Sequence, residues 1–171
     1  MALALHLNFS DWDINIFGLV TGTQIALKHM ILQGHGKIFN LEGLGSDGRI
    51  MNKLGLYGTS KRAVNYFTKA VSKEMKNTAV QIGIISPGMV RTDFLDSPMT
   101  SASPEEVRKF KKVSDLLAED VDIVTKSLTE KILKSSKHYD RITYLSKTRM
   151  MFRIIKMVLA PSPKNTKALD L

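Results

Sequence analysis

The sequence predicts an α/β protein built on parallel strands, and three features predict it. Apolar, strand-length runs stand at residues 36–41 and 80–85. Between them lies one long helical pattern over residues 57–76, and each run closes in a loop rich in Gly, Ser or Pro. Strand, crossover helix, strand is the unit from which a parallel sheet with covering helices is made.

Taken in order, residues 16–34 read as a mostly buried helix stopped by Gly34. Asp11, Asp13 and Asn15 precede it, and Asn15 suits a helix-capping position. Strand 36–41 follows, then the loop Gly43-Leu44-Gly45-Ser46-Asp47-Gly48. This loop spells G-x-G-x-x-G, but a dinucleotide fingerprint must open a helix at once so that amides and helix dipole meet the pyrophosphate. Here the chain is expected to stay in a loop through Leu56, and Glu42 and Asp47 would repel phosphate, so the match is a decoy. Val20-Thr21-Gly22 is rejected as a cofactor turn because the later glycines are missing.

The helix over 57–76 carries Ala63, Val64, Phe67, Ala70, Val71 and Met75 on one stripe. After strand 80–85, Pro87 and Gly88 turn the chain sharply. Residues 93–104, rich in Ser, Thr, Pro and Met, have the make-up of a substrate lid. Ser103 with Pro104 starts another helix, 119–134 gives one more, and 141–145 alternates as a last strand. Residues 148–159 set Met150, Met151, Ile154, Ile155, Val158 and Leu159 against Arg149, Arg153 and Lys156. Such a basic amphipathic helix packs on its own domain or lies on a membrane surface. The expected division is a domain over 1–147 and a tail over 148–171.

The chemistry concentrates at Tyr57-Gly58-Thr59-Ser60-Lys61. Residues four apart share one face of a helix, so phenol and ammonium can point together into the cleft where strand 36–41 ends. A free phenol, with a pKa near 10, is a poor proton carrier at neutral pH; a cation held beside it favours the phenolate and makes it usable.

Strand, polar loop, Tyr-x-x-x-Lys helix, strand, then Pro87-Gly88-Met89-Val90-Arg91-Thr92: this order resembles the short-chain dehydrogenase/reductase family. The loop from Ile38 to Arg49 and the arginine-bearing tail resemble its chlorophyll(ide) b reductase-like branch. The resemblance implies a Rossmann-type doubly wound parallel sheet and hydride transfer between NAD(P)(H) and a small-molecule carbonyl or alcohol. It implies Tyr57 as general acid or base, Lys61 lowering its pKa and holding the nicotinamide ribose, and Asn15 positioning Lys61 through water. Pro87, Gly88, Val90 and Thr92 would contact the nicotinamide end of the cofactor, Val90 through its backbone. The family's serine, counted three residues on from Asn40, falls on Gly43, which has no hydroxyl. Ser46, the only serine between that strand and Tyr57, takes the role of polarising the substrate oxygen. A homo-oligomer through helices 16–34 and 57–76 is implied as well.

The family's Thr-Gly-x-x-x-Gly-x-Gly turn and the adenosine-binding half of its fold have no counterpart in the sequence. The expectation is therefore an incomplete domain holding the catalytic half, with an apolar sheet edge open. The alternative is a non-catalytic fragment that acts through that edge and its helical faces.

Composition sets the outer limits. The 171 residues, 43% hydrophobic and 24% charged, suffice for one globular domain. With no cysteine, thiolate catalysis and disulfides are excluded, and a reducing, cytoplasmic setting fits, with a plastid as the other choice. Residues 1–9 show neither a basic n-region nor a cleavage site, and no run has transmembrane length. The formal charge of +9 suits an anionic partner or a solvated surface, while no nucleic-acid-binding pattern is present. His6, His29, His35 and His138 lack metal-ligand spacing, and the sequon at Asn8 has no secretory context.

Overall fold

Strand β1 (Gly36–Leu41) pairs in parallel with β2 (Val80–Ser86), and β2 pairs in parallel with β3 (Arg141–Thr143), giving the order β1-β2-β3. The register sets Gly36 against Val80 and Leu41 against Ile85. The computed structural model describes residues 12–50, 54–93 and 103–159. Helices α1 (Leu19–Gln33), α2 (Gly55–Glu74), α3 (Pro104–Leu117), α4 (Val121–Lys134) and α5 (Lys147–Leu159) complete the order, with a π-helical stretch, Asp13–Gly18, leading into α1.

Side chains alternate across a strand, so each face of the sheet needs its own cover. On one face Val80 and Ile82 join Leu27 of α1 and Val71 of α2, with Met30, Ile38, Phe67 and Met75 around them. On the other, Val124 and Leu128 of α4 meet Ile142 and Tyr144, with Phe39 and Ile85 alongside. Helices on both faces of an all-parallel sheet are the doubly wound arrangement expected from the sequence. Two side chains tie the layers. Asn40 Nδ2 donates to Thr68 Oγ1 of α2 at 3.0 Å. Lys37 Nζ donates to the carbonyls of Ile132, Leu133 and Ser135, closing the C-terminal end of α4.

Element boundaries shift where side chains intervene. Helix α2 starts at Gly55, two residues before the pattern that announces it, with Gly58 N–H already donating to Leu54 O at 2.7 Å. Helix α3 begins where expected: Ser103 accepts from the Glu106 amide while the Glu106 carboxylate accepts from the Ser103 amide. Helix α4 starts at Val121 because Glu119 is drawn into a parallel bridge with Val90. The last strand ends at Thr143, shorter than the 141–145 expected, as Tyr144 turns toward Arg149. The lid expected over residues 93–104 falls largely outside the described residues.

Candidate active site

The carboxyl ends of β1 and β2 lie side by side, and the candidate groups gather at the end of β1. Tyr57 stands in the first turn of α2 and Lys61 one turn on, with Lys61 Nζ over the tyrosine ring, 5.8 Å from its centroid. Lys61 Nζ donates to Asn15 Oδ1 at 3.3 Å, so the asparagine touches the lysine directly. Asn15 belongs to the π-helical stretch, so its side chain reaches the lysine from the turn preceding α1.

The loop after β1 presses against the start of α2, which is what its glycines allow. A Cβ on Gly45, whose φ is +92°, would come within 2.7 Å of Gly58 Cα, so backbone meets backbone there. A Cβ on Gly43 would overlap the Tyr57 hydroxyl. Gly43 thus occupies the position beside the phenol at which the family pattern calls for a serine.

Ser46 requires a correction. Its side chain is buried, and its hydroxyl donates to Glu42 Oε2 at 3.2 Å, a commitment that leaves no free hydroxyl to polarise an oxygen in the way expected. Glu42, also buried, is the hub that the sequence reading missed, having entered there only as a repellent for phosphate. It accepts from Arg141 Nε at 3.1 Å and Nη2 at 2.5 Å, and from Asn65 Nδ2 of α2 at 3.4 Å. Arg62 Nη1 completes the brace by donating to Ser46 O at 2.9 Å. No local motif announces this network, because its members lie up to 99 residues apart.

From the neighbouring strand, Pro87 is half-buried, while Gly88 and Thr92 are exposed. Val90 packs on the second apolar cluster. Its bridge to Glu119 uses Arg91 N–H to Glu119 O (2.9 Å) and Glu119 N–H to Met89 O (3.1 Å), so Val90's own peptide groups take no part in those two bonds. The structure therefore brings Asn15, Tyr57 and Lys61 together, sets the 87–92 segment at the same end of the sheet, and removes Ser46 from the set.

Burial governs the proton affinities. It pushes the Tyr57 phenol above its usual value and holds the Lys61 ammonium below its own. For the tyrosine this is opposite to the lowering expected from the adjacent cation. The ammonium stands over the ring, and desolvation of the phenolate outweighs it.

The described residues thus form a doubly wound parallel sheet with a phenol, an ammonium and an amide at its carboxyl edge. The profile of the short chain dehydrogenase family matches residues 8–102, and the chain belongs to that family. Within it, the chain is 35% identical over 122 residues to chlorophyll(ide) b reductase NOL, chloroplastic, of Arabidopsis thaliana, covering 69% of this chain and 33% of that one. It is 29% identical over 155 residues to probable chlorophyll(ide) b reductase NYC1, chloroplastic, of Oryza sativa subsp. japonica, covering 86% of this chain and 29% of that one. The chain thus spans about a third of the length of these relatives. Among solved structures, serine dehydrogenase in its closed form complexed with NADP+ superposes with a TM-score of 0.64 at 22% identity, over 84% of this chain and 59% of that one. A gluconate 5-dehydrogenase from Burkholderia cenocepacia in complex with NADP and tartrate gives 0.63 at 20%, over 84% and 58%. At such identities these structures establish the fold alone.

Proposed function

We propose that this chain carries the proton-handling half of an NAD(P)(H)-dependent oxidoreductase acting on a carbonyl or alcohol. The observation that carries the reading is the convergence of Tyr57, Lys61 and Asn15 at the carboxyl end of β1. When bound, the nicotinamide cofactor supplies or accepts the hydride. Lys61, with Asn15 fixing its ammonium, would hold the ribose hydroxyls, and the backbone of Val90 with Pro87, Gly88 and Thr92 would line the nicotinamide end.

In the reducing direction Tyr57 donates its phenolic proton to the carbonyl oxygen; burial keeps the phenol protonated but weakens it as an acid, so the transfer leans on the cation beside it. Lys61 supplies the positive field that stabilises the phenolate left behind. Ser46 is given no part in this chemistry, since its hydroxyl is committed to Glu42. The expected substrate oxygen therefore meets the Tyr57 hydroxyl, which lies against Gly43 because that residue has no Cβ to overlap it. The relatives' names point to a chlorophyll-type carbonyl as the class to try first, and to a plastid in place of the cytoplasmic setting that composition suits. The exposed apolar residues Ile25 and Leu32 of α1 and Tyr66 of α2 favour a homo-oligomer through those two helices.

The test is NADPH titration of the full chain followed by nicotinamide fluorescence. Micromolar binding, weakened about tenfold or more in Lys61→Met, supports the reading. A second reading, a non-catalytic interaction module, draws on the exposed apolar residues of α1 and α2. Binding that is absent, or is the same in Lys61→Met, would select it.

A further inference from the structure

Among the described residues Glu42 is the only charged one that is buried, and it lies where the sheet, the 43–48 loop and α2 meet. Its amide continues the sheet by donating to Ile85 O at 3.0 Å. Carboxylate oxygen Oε1 accepts both donors of Arg141 from β3, while Oε2 accepts from Ser46 Oγ of the loop and Asn65 Nδ2 of α2. A carboxylate offers about four lone-pair sites, and four donors occupy them here. Glu42 thus keeps no free site for a substrate, and Arg141 supplies the countercharge that an ionised group in the interior requires.

What the four donors are attached to decides the role. Tyr57, Lys61 and Asn65 follow one another at steps of four, so they share one face of α2. Glu42 therefore grips the helix one turn beyond the phenol and the ammonium, on their own face. On the loop side, the Ser46 amide donates to Gly43 O at 3.1 Å and closes a turn that begins beside Glu42. Gly43 is the residue that lies against the Tyr57 hydroxyl and the Lys61 stem, since a Cβ there would overlap the one and crowd the other. Through Ser46 and Asn65 a single carboxylate thus joins the wall behind the phenol to the helix that carries it.

We propose that Glu42 is a positioning residue, which clamps the 43–48 loop to the Tyr57–Lys61 face of α2 and so sets where the phenolic hydroxyl meets a substrate. The proposal rests on the reading of Tyr57 as proton carrier, but its first test needs no turnover. The full chain is labelled with carbon-13 at the tyrosine Cζ and its NMR spectrum recorded at neutral pH, the Tyr57 signal being the one missing from Tyr57→Phe. That signal should move by more than its own width in Glu42→Ala and Ser46→Ala, and less in Glu42→Gln, which keeps an acceptor oxygen. It should stay in place in Val71→Ala, which weakens the core under the same helix fourteen residues further on, about 21 Å along the axis. Ser46→Ala spares the Glu42–Arg141 pair and carries the test if circular dichroism shows Glu42→Ala unfolded. A Tyr57 signal unmoved in the folded clamp variants, or moved as far in Val71→Ala, overturns the proposal. In turnover with NADPH and an aldehyde-bearing substrate, kcat should fall roughly tenfold or more in each clamp variant while NADPH affinity holds within about twofold. The double variant should lose no more than Glu42→Ala alone, because both changes cut one link. Losses that multiply would give Ser46 a separate role and overturn the clamp. A wild type that binds NADPH without turnover would count against the proton-carrier reading, and the Tyr57 signal would still decide for or against the clamp.

Discussion

Helices α2 and α5 are both amphipathic in sequence, and each breaks the rule that apolar side chains go in and polar ones out. Helix α2 buries Ser60, Asn65, Thr68 and Ser72 beside Val64 and Val71, whereas α5 exposes Phe152 and Met151 while its Arg153 reaches into the domain. The difference lies in available partners. On α2, Ser60 donates to Tyr57 O, Thr68 donates to Val64 O and accepts from Asn40, and Asn65 donates to Glu42. Beneath α5 the groups on offer are the Leu117 carbonyl, the Glu119 carboxylate and the Tyr144 ring, which suit guanidinium and not hydrocarbon. Partner chemistry decides which side of a helix is buried, and the hydrophobic stripe follows where it can.

The comparison can be broken most forcefully at Glu42. Glu42→Ala leaves the Arg141 guanidinium and the buried Ser46 and Asn65 donors without their acceptor, and should destabilise the fold by about 3 kcal/mol in urea unfolding. Glu42→Gln, which keeps an acceptor oxygen, should cost about half as much. Next comes Val64→Ala in the middle of α2, where the side chain is 2% exposed; the same measurement should show a loss of about 2 kcal/mol.

A smaller effect is expected at the α5 anchor, and it carries a pH signature. Hydrogen bonding from the Tyr144 hydroxyl, helped by Arg153, holds the Glu119 carboxyl below its ordinary pKa. A carboxyl depressed in the folded state adds stability above its unfolded pKa, and that stability is lost as pH falls through the folded one. Arg153→Met should therefore lower stability by about 1 kcal/mol near neutral pH and shrink the acid-side decline of the melting temperature. Last, Phe152→Ala, at a 74% exposed site, should change unfolding free energy by no more than about 0.5 kcal/mol.

What the sequence made legible is local. Both long strands, the stop at Gly34 and the helix start at Ser103 and Pro104 were readable because each is written in adjacent residues. The spacing of Tyr57 and Lys61 was readable for the same reason, and the family pattern singled out Asn15. What escaped are contacts between distant segments. Ser46 is held by Glu42 and Glu42 by Arg141, so the role assigned to the serine failed on a contact that spacing does not encode. The inward Arg153 of α5 escaped similarly, since the pattern of 148–159 marks an apolar side without saying which way it faces. Burial of the phenol, and with it the direction of its pKa shift, likewise follows from how the 43–48 loop folds onto α2.

The central claim is that the Tyr57 phenol exchanges the proton when a carbonyl is reduced. Single-turnover oxidation of NADPH by the full chain, with an aldehyde-bearing substrate, compares wild type with Tyr57→Phe. The account predicts normal NADPH binding in the variant and a rate lower by roughly two to four orders of magnitude. A Tyr57→Phe chain that binds NADPH and reduces the aldehyde at the wild-type rate would contradict it.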